Sequence, residues 1–388
     1  MAIVFMVFFF IHCGFTLSSA DYFIVAGVLY ALSWCYSQMK TYFDHGFHNR
    51  ATITRLSPRC LRVDIPVGPL TLWRPGQHMF LRFLTLGTHH ALTAHPFTIC
   101  SLPDHDRLVG APRSVMTFYV KPRGGFTGRL AAIAAARGAG GAVATLPVLM
   151  EGAYGGLHGK PLTAYDRALV VACGSGAGFS LPFAMEWISA AATAAAARDF
   201  AAAVGGSGGE KGVKEVVAAP KAPRKMTIVI VTRDTRILQW YEAALSEFLE
   251  SQNLEMPEGA LEIKVYQTSE TDDPEDTESD AEAGRRTPPS SSEDDEKVEP
   301  LASSSSTSSS QKTPATSLGF KTFTGRPDLA AVVRDFTLEE TGSVGMAVCG
   351  PSSVLAAVRD EAAAAEMRIL KSGPGAKEVY LYSEMFGW

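Results

Sequence analysis

Residues 95–98 read His95-Pro96-Phe97-Thr98 and continue as Ile99-Cys100, a short run of β-type residues. The proline holds the preceding backbone extended, and the aromatic ring and hydroxyl that follow present a flat face and a donor to one neighbourhood. That pairing suits a flavin, which needs an apolar surface to stack on and a donor near its reactive nitrogen. The same four residues also describe a core strand with a capping threonine, so context decides. Downstream, Gly124-Gly125-Phe126-Thr127 precede helical sequence, with Thr127 as the expected N-cap. Bare amides at such a helix start are a ready site for a pyrophosphate. Further on, Cys173-Gly174-Ser175-Gly176-Ala177-Gly178 follows an apolar strand and opens an alanine-rich helix. In that setting glycines let the backbone approach a dinucleotide phosphate. Cys349-Gly350-Pro351 closes another apolar strand.

Taken in order with Trp73-Arg74-Pro75-Gly76-Gln77-His78 and Glu151-Gly152-Ala153-Tyr154-Gly155, these stretches resemble the flavin and nicotinamide module of the ferric-chelate reductases. Those are relatives of the NADPH oxidases and, more distantly, of the ferredoxin-NADP reductase superfamily. The resemblance runs from about Ile53 to Trp388 apart from two inserts, and the ordered set is far more specific than any single member. It implies FAD at His95, Pro96, Phe97, Thr98, Gly124, Gly125, Phe126 and Thr127. It implies a nicotinamide dinucleotide at Gly174, Ser175, Gly176, Gly178 and Arg233, with Cys349, Gly350 and Pro351 beside the nicotinamide ring. The Cys349 thiol would pack near the transferring carbon without acting as a nucleophile. Trp388, the last residue, would cover the flavin face until the nicotinamide arrives, so Thr98, Cys349 and Trp388 are the expected catalytic set. Gly325-Arg326-Pro327-Asp328-Leu329 matches a further family stretch, with Arg326 as a nucleotide contact. Two positions depart from the pattern: Ala153 stands where the family turn has proline, and Gly178 where a hydroxyl or larger residue is common.

Arg233 and Arg236 follow the second strand of the nucleotide unit, where cations favour a 2′-phosphate and hence NADPH over NADH; Asp234 between them works against this. The resulting expectation is an FAD enzyme that takes hydride from NADPH and passes electrons on singly to a ferric or cupric chelate outside the cell. In the resembled family, haem b in a membrane domain carries them. A superoxide-generating NADPH oxidase is the alternative within the same chemistry. A membrane-tethered scaffold without an electron path is the alternative outside it.

The elements that must position these residues are of three kinds. Met1 to Leu17 and Tyr22 to Tyr36 are apolar runs, read as one transmembrane span plus a fragment, with Trp34, Tyr36, Lys40 and Tyr42 as an interfacial belt. Only His12 sits at membrane depth. One axial ligand cannot build a two-haem pathway, so the membrane domain looks N-terminally truncated relative to the family, and further haem-bearing helices are expected elsewhere. The plasma membrane is the expected location, with the cofactor domains cytoplasmic. Short β-rich runs from Ala51 to about Leu149 predict an antiparallel FAD-binding barrel. From Arg167 strands and helices alternate, which predicts a doubly wound parallel nucleotide-binding sheet. The fold class is therefore α/β plus β-barrel, divided as residues 1–45, 46–155 and 156–388.

Two inserts interrupt the last domain, at about 202–225 and 268–318. Neither carries enough apolar surface to offset its ordering entropy, so both are expected to be disordered. The second holds 13 acidic and 4 basic residues, a net −9; with −5 for the whole chain, the remainder carries +4. That suits an anionic dinucleotide and an anionic membrane surface, and it is too weak to indicate nucleic-acid binding. Six cysteines without a C-x-x-C pair or regular spacing indicate neither a disulfide framework nor a zinc site.

Overall fold

The computed structural model describes residues 2–16, 20–68, 71–87, 90, 93–103, 114–138, 143–205, 225–256, 259–268, 319–339 and 342–385. The chain forms two compact units. The first comprises residues 1–161 with 178–186, and the second residues 162–177 with 187–388.

In the first unit, helices α1 (Ala2–Thr16) and α2 (Ala20–His45) lead into six strands: β1 (Arg50–Ser57), β2 (Cys60–Val67), β3 (Gln77–Phe83), β4 (His95–Thr98), β5 (Ser114–Val120) and β6 (Ala144–Gly155). Helix α3 (Gly125–Gly138) lies between β5 and β6 in sequence. The strands pair antiparallel in the order β4-β3-β6-β1-β2-β5. Past β4 the chain bends across: Ile99 N donates to Gln77 O and Cys100 N to Thr117 O on β5, so the two outer strands approach and the sheet curls towards a barrel. Alternate residues point inward, as in Leu61, Val63 and Ile65 on β2 and Met79, Leu81 and Phe83 on β3, and they pack with Leu130 of α3. The expected antiparallel barrel is thus present as a six-stranded sheet.

Both apolar N-terminal runs are helical, but no helix among the described residues is long and apolar enough to cross a membrane. Helix α1 has 15 residues. Helix α2 has 26, but Asp21, Ser33, Ser37, Gln38, Lys40 and Asp44 dilute its apolar stretch. The expected span is therefore not among the described elements. The Lys40 ammonium lies 5.1 Å from the centre of the Tyr154 ring on β6. Nearby, Ser37 Oγ donates to Glu151 Oε1 at 3.2 Å and His45 Nε2 to Gly152 O at 2.6 Å, so the C-terminal half of α2 is held on the end of β6.

The second unit is a parallel sheet of β7 (Arg167–Cys173), β8 (Lys225–Thr232), β9 (Leu261–Gln267), β10 (Lys321–Thr324), β11 (Ser343–Gly350) and β12 (Glu378–Met385). Its helices are α4 (Ala177–Gly205), of which residues 178–186 belong to the first unit, α5 (Arg236–Gln252), α6 (Leu329–Leu338) and α7 (Ser352–Leu370). The strand order β10-β9-β8-β7-β11-β12 is that of a doubly wound sheet. Strands β7, β8 and β11 are almost wholly buried, which explains their continuous apolar runs. Strand β10 has no sequence signature: its residues Lys-Thr-Phe-Thr are exposed and lack an apolar pattern. Its place is set by parallel pairing with β9, where Phe323 stacks on Tyr266 at 4.9 Å. Residues 206–224 and 269–318, which hold nearly all of both expected inserts, lie outside the described residues.

Candidate cofactor-binding site

The His-Pro-Phe-Thr run is strand β4, paired with β3 so that His78 faces Thr98, Phe80 faces Pro96, Met79 faces Phe97 and Leu81 faces His95. The period of two corrects one expectation: Phe97 and Thr98 do not share a face. Phe97 packs against the barrel core and His95 stacks on the Phe126 ring at 4.2 Å, whereas Thr98 and Pro96 lie on the side of His78 and Phe80. All four residues nevertheless keep part of their surface accessible, unlike the alternating buried positions of β2 and β3. A strand half-open on both faces is ill-suited to a core and well suited to a ligand.

At the second candidate site, Gly124 and Gly125 would meet no atom within 4 Å if either carried a β-carbon, and Gly125 has a φ of +65°. The bare helix start is therefore open to an anion, as a pyrophosphate requires. Thr127 is not its N-cap. The helix begins at Gly125, and the Thr127 hydroxyl turns back to accept from Arg123 N at 2.9 Å. The Phe126 ring is buried in the core, so this residue can offer a ligand only its backbone. Gly128, which the sequence did not single out, must be glycine because a β-carbon would stand 2.6 Å from Arg123 O.

On the parallel sheet, β7 ends at Cys173 and runs through a 3₁₀ turn, Gly174–Gly176, into α4. Gly174 takes a φ of +53° with open space where a side chain would be, and Ser175 is exposed. The neighbouring strand β11 ends at Cys349-Gly350, followed by the exposed Pro351 at the start of α7. Chain order reverses between β7 and β11, and the crevice beyond the carboxyl ends of the strands at such a switch point is where open α/β sheets bind nucleotides. The tertiary structure thus brings Gly174, Ser175, Gly176, Cys349, Gly350 and Pro351 to one place. Cys349 itself is buried, at 4% exposure.

Arg233 is exposed immediately after β8, and Arg326 is exposed after β10. Arg236 grips Asp234 through both carboxylate oxygens, at 2.9 and 3.3 Å, so the acid that counted against a 2′-phosphate is already engaged. Tyr154 OH donates to Glu151 Oε1, and burial together with that carboxylate pushes the phenol's pKa up to about 12, so it stays protonated. Gly178 is buried against Cys100 and Tyr119 of the barrel. His12 is exposed on α1 with its ring parallel to Phe8, and among the described residues no group of three or more His, Cys, Asp or Glu side chains could hold a metal ion. Trp388 lies outside the described residues.

Residues 165–363 match the ferric reductase NAD-binding domain, and residues 49–157 match an FAD-binding domain. The chain belongs to the ferric reductase family. As a ferric reductase relative it is an NAD(P)H-dependent flavin oxidoreductase, with FAD and NAD(P)H as cofactors. Among solved structures, the chain is similar to an Amycolatopsis cytochrome P450 reductase, at 13% identity and a TM-score of 0.45, over 87% of this chain and 70% of that one. It is also similar to a flavohemoglobin from Malassezia yamatoensis with bound FAD and heme, at 15% identity and a TM-score of 0.43, over 96% and 69%. A ferredoxin-NADP+ reductase from Neisseria gonorrhoeae with bound FAD and NADP matches at 11% identity and a TM-score of 0.42, over 87% and 98%. No curated protein matches the chain significantly.

Proposed function

We propose that this ferric reductase relative takes hydride from NADPH and reduces a ferric or cupric chelate, working at a membrane. The observation that carries the reading is the convergence of the Gly174–Gly176 turn and Cys349-Gly350-Pro351 at the switch point of a sheet whose chain also supplies an open glycine helix start for a second cofactor. A bound flavin supplies the step that nicotinamide cannot, accepting two electrons together and releasing them singly.

The chain's own residues then have distinct tasks. Gly124 and Gly125 leave room for the flavin diphosphate, Thr98 offers a hydroxyl donor to the ring, and Pro96, on the same face of β4, offers apolar surface, while Phe97 holds the strand from the core side. Gly174 and Ser175 admit the nicotinamide dinucleotide's phosphates, and the buried Cys349 packs beside its ring. Arg233, with Arg326 two strands away, supplies the cationic surface that favours the 2′-phosphate of NADPH. Trp388 keeps its expected role as a cover for the ring.

A membrane location is supported by the exposed apolar residues of α1 and α2, among them Phe5, Phe8, Leu29, Leu32 and Trp34. Helix α1 carries one histidine, His12, and His45 of α2 donates to Gly152 O.

The test is direct. Purified protein should carry a flavin spectrum, oxidise NADPH, and generate ferrous iron from a ferric chelate when a ferrous-specific dye is present. Superoxide in place of ferrous iron would move the assignment to an oxidase. Colourless protein that leaves NADPH untouched even with added FAD would overturn the reading altogether.

A further inference from the structure

Two glycines of one motif are glycine for different reasons. Gly174 uses its freedom of φ and faces open space, whereas a β-carbon on Gly178 would stand 2.7 Å from Cys100 Sγ and 3.7 Å from a ring carbon of Tyr119. Gly178 and Cys100 both belong to the first compact unit. A carbon–sulfur approach of 2.7 Å lies far inside van der Waals contact, so a side chain at 178 would have to displace the thiol.

The thiol has little room to yield. Cys100 is 4% exposed, its N–H donates to Thr117 O at 2.8 Å, and its Sγ donates to Thr98 O at 3.3 Å. Burial pushes its pKa up to about 12, so it remains a neutral donor. The carbonyl it holds belongs to Thr98, the residue offered to the flavin ring.

We propose that Gly178 is a positioning residue for the flavin rather than a phosphate contact of the nucleotide: by leaving space for Cys100 Sγ it keeps that thiol on the Thr98 carbonyl and fixes the end of β4. The proposal deepens the flavin reading of Thr98 and rests on it. It also accounts for the departure from the family pattern at position 178, since the larger residue common there would collide with Cys100.

The experiment compares Gly178→Ala, Cys100→Ala, the double variant and Cys100→Val as purified holoenzymes. The readouts are the flavin absorption bands, FAD affinity, kcat and the KM for NADPH. Gly178→Ala should shift the flavin bands, weaken FAD by about 10-fold and lower kcat, with the KM for NADPH nearly unchanged. Cys100→Ala removes the donor to Thr98 O without crowding the site and should shift the flavin bands in the same direction but by less than Gly178→Ala. The double variant should return to the Cys100→Ala level, because the new methyl occupies the space the sulfur leaves. Cys100→Val, crowding from the other side, should reproduce the band shift. A raised KM for NADPH with unchanged flavin bands in Gly178→Ala would assign the residue to the nucleotide and overturn the proposal. A double variant as impaired as Gly178→Ala would overturn it as well. Should Gly178→Ala alone fail to fold, recovery of folded, flavin-bearing protein in the double variant supports the same packing argument, and no recovery refutes it. Thr98→Ala separates the two layers: unchanged flavin bands there would remove the role of Thr98 while the Gly178–Cys100 rescue still reports on packing.

Discussion

Glu262 sits on β9 between lysines from both neighbouring strands. Lys225 at the start of β8 lies 2.8 Å from one carboxylate oxygen, and Lys321 at the start of β10 lies 2.7 Å from the other, with Lys264 at 3.8 Å. Partial burial raises the pKa of this carboxyl, but hydrogen bonds from Lys225 and Lys321 and the charge of Lys264 more than offset it and bring it from 4.5 down to about 2. At full strength that shift corresponds to roughly 3 kcal/mol. The lysine side chains are 40%, 61% and 33% exposed, so solvent screening reduces the expected contribution to roughly 1–2 kcal/mol. The folded pKa lies below the unfolded one, so this stability is fully present above about pH 4.5 and is lost as pH falls towards 2. Glu262→Gln should therefore unfold at lower urea concentration than wild type at pH 7, and the gap should narrow steadily between pH 4.5 and pH 3. Because β10 delivers Gly325 and Arg326, the variant should also show a raised KM for NADPH. A stability gap that does not change with pH would refute the electrostatic argument and leave only packing.

Three further outcomes are expected. Arg233→Ala should lower kcat/KM for NADPH by about one to two decades and leave NADH nearly unchanged, as loss of a charge-assisted contact of roughly 1.5–3 kcal/mol requires; equal losses for both cofactors would make the residue structural. Gly125→Ala should cost about 1 kcal/mol of stability, because φ is +65° there, and should weaken FAD more than it weakens the apoprotein; titration with FAD and thermal melts of the apoprotein separate the two effects, and unchanged affinity would remove the diphosphate from this turn. Deleting residues 272–310 should leave NADPH oxidation per flavin intact, since 14 residues then remain between Gln267 and Lys321, enough for the crossover between parallel strands β9 and β10. Loss of folding in that variant would show that the deleted segment packs against the sheet.

The alternation of apolar residues in β2 and β3 and the continuous apolar runs of β7, β8 and β11 determine by themselves that an antiparallel sheet open on one side precedes a parallel sheet covered on both. The glycine turns likewise declare themselves, because only glycine takes positive φ freely, as at Gly125 and Gly174. Where the order of residues is local, the sequence therefore speaks for the site. What it cannot carry is the outcome of competition between partners distant in the chain. The side of β4 on which Phe97 lies depends on its register against β3, and the Thr127 hydroxyl went to the Arg123 backbone instead of capping a helix. Lys40 suits a membrane interface by spacing, yet it lies over Tyr154, which is 114 residues away. Strand β10 has no apolar pattern and exists only because β9 offers it an edge. The switch point that gathers Gly174 and Cys349 is a property of strand order, and the reason for glycine at 178 is the sulfur atom of Cys100, two residues past the end of β4. Local propensity is written residue by residue, whereas a shared volume can be assigned only after both claimants have reached it.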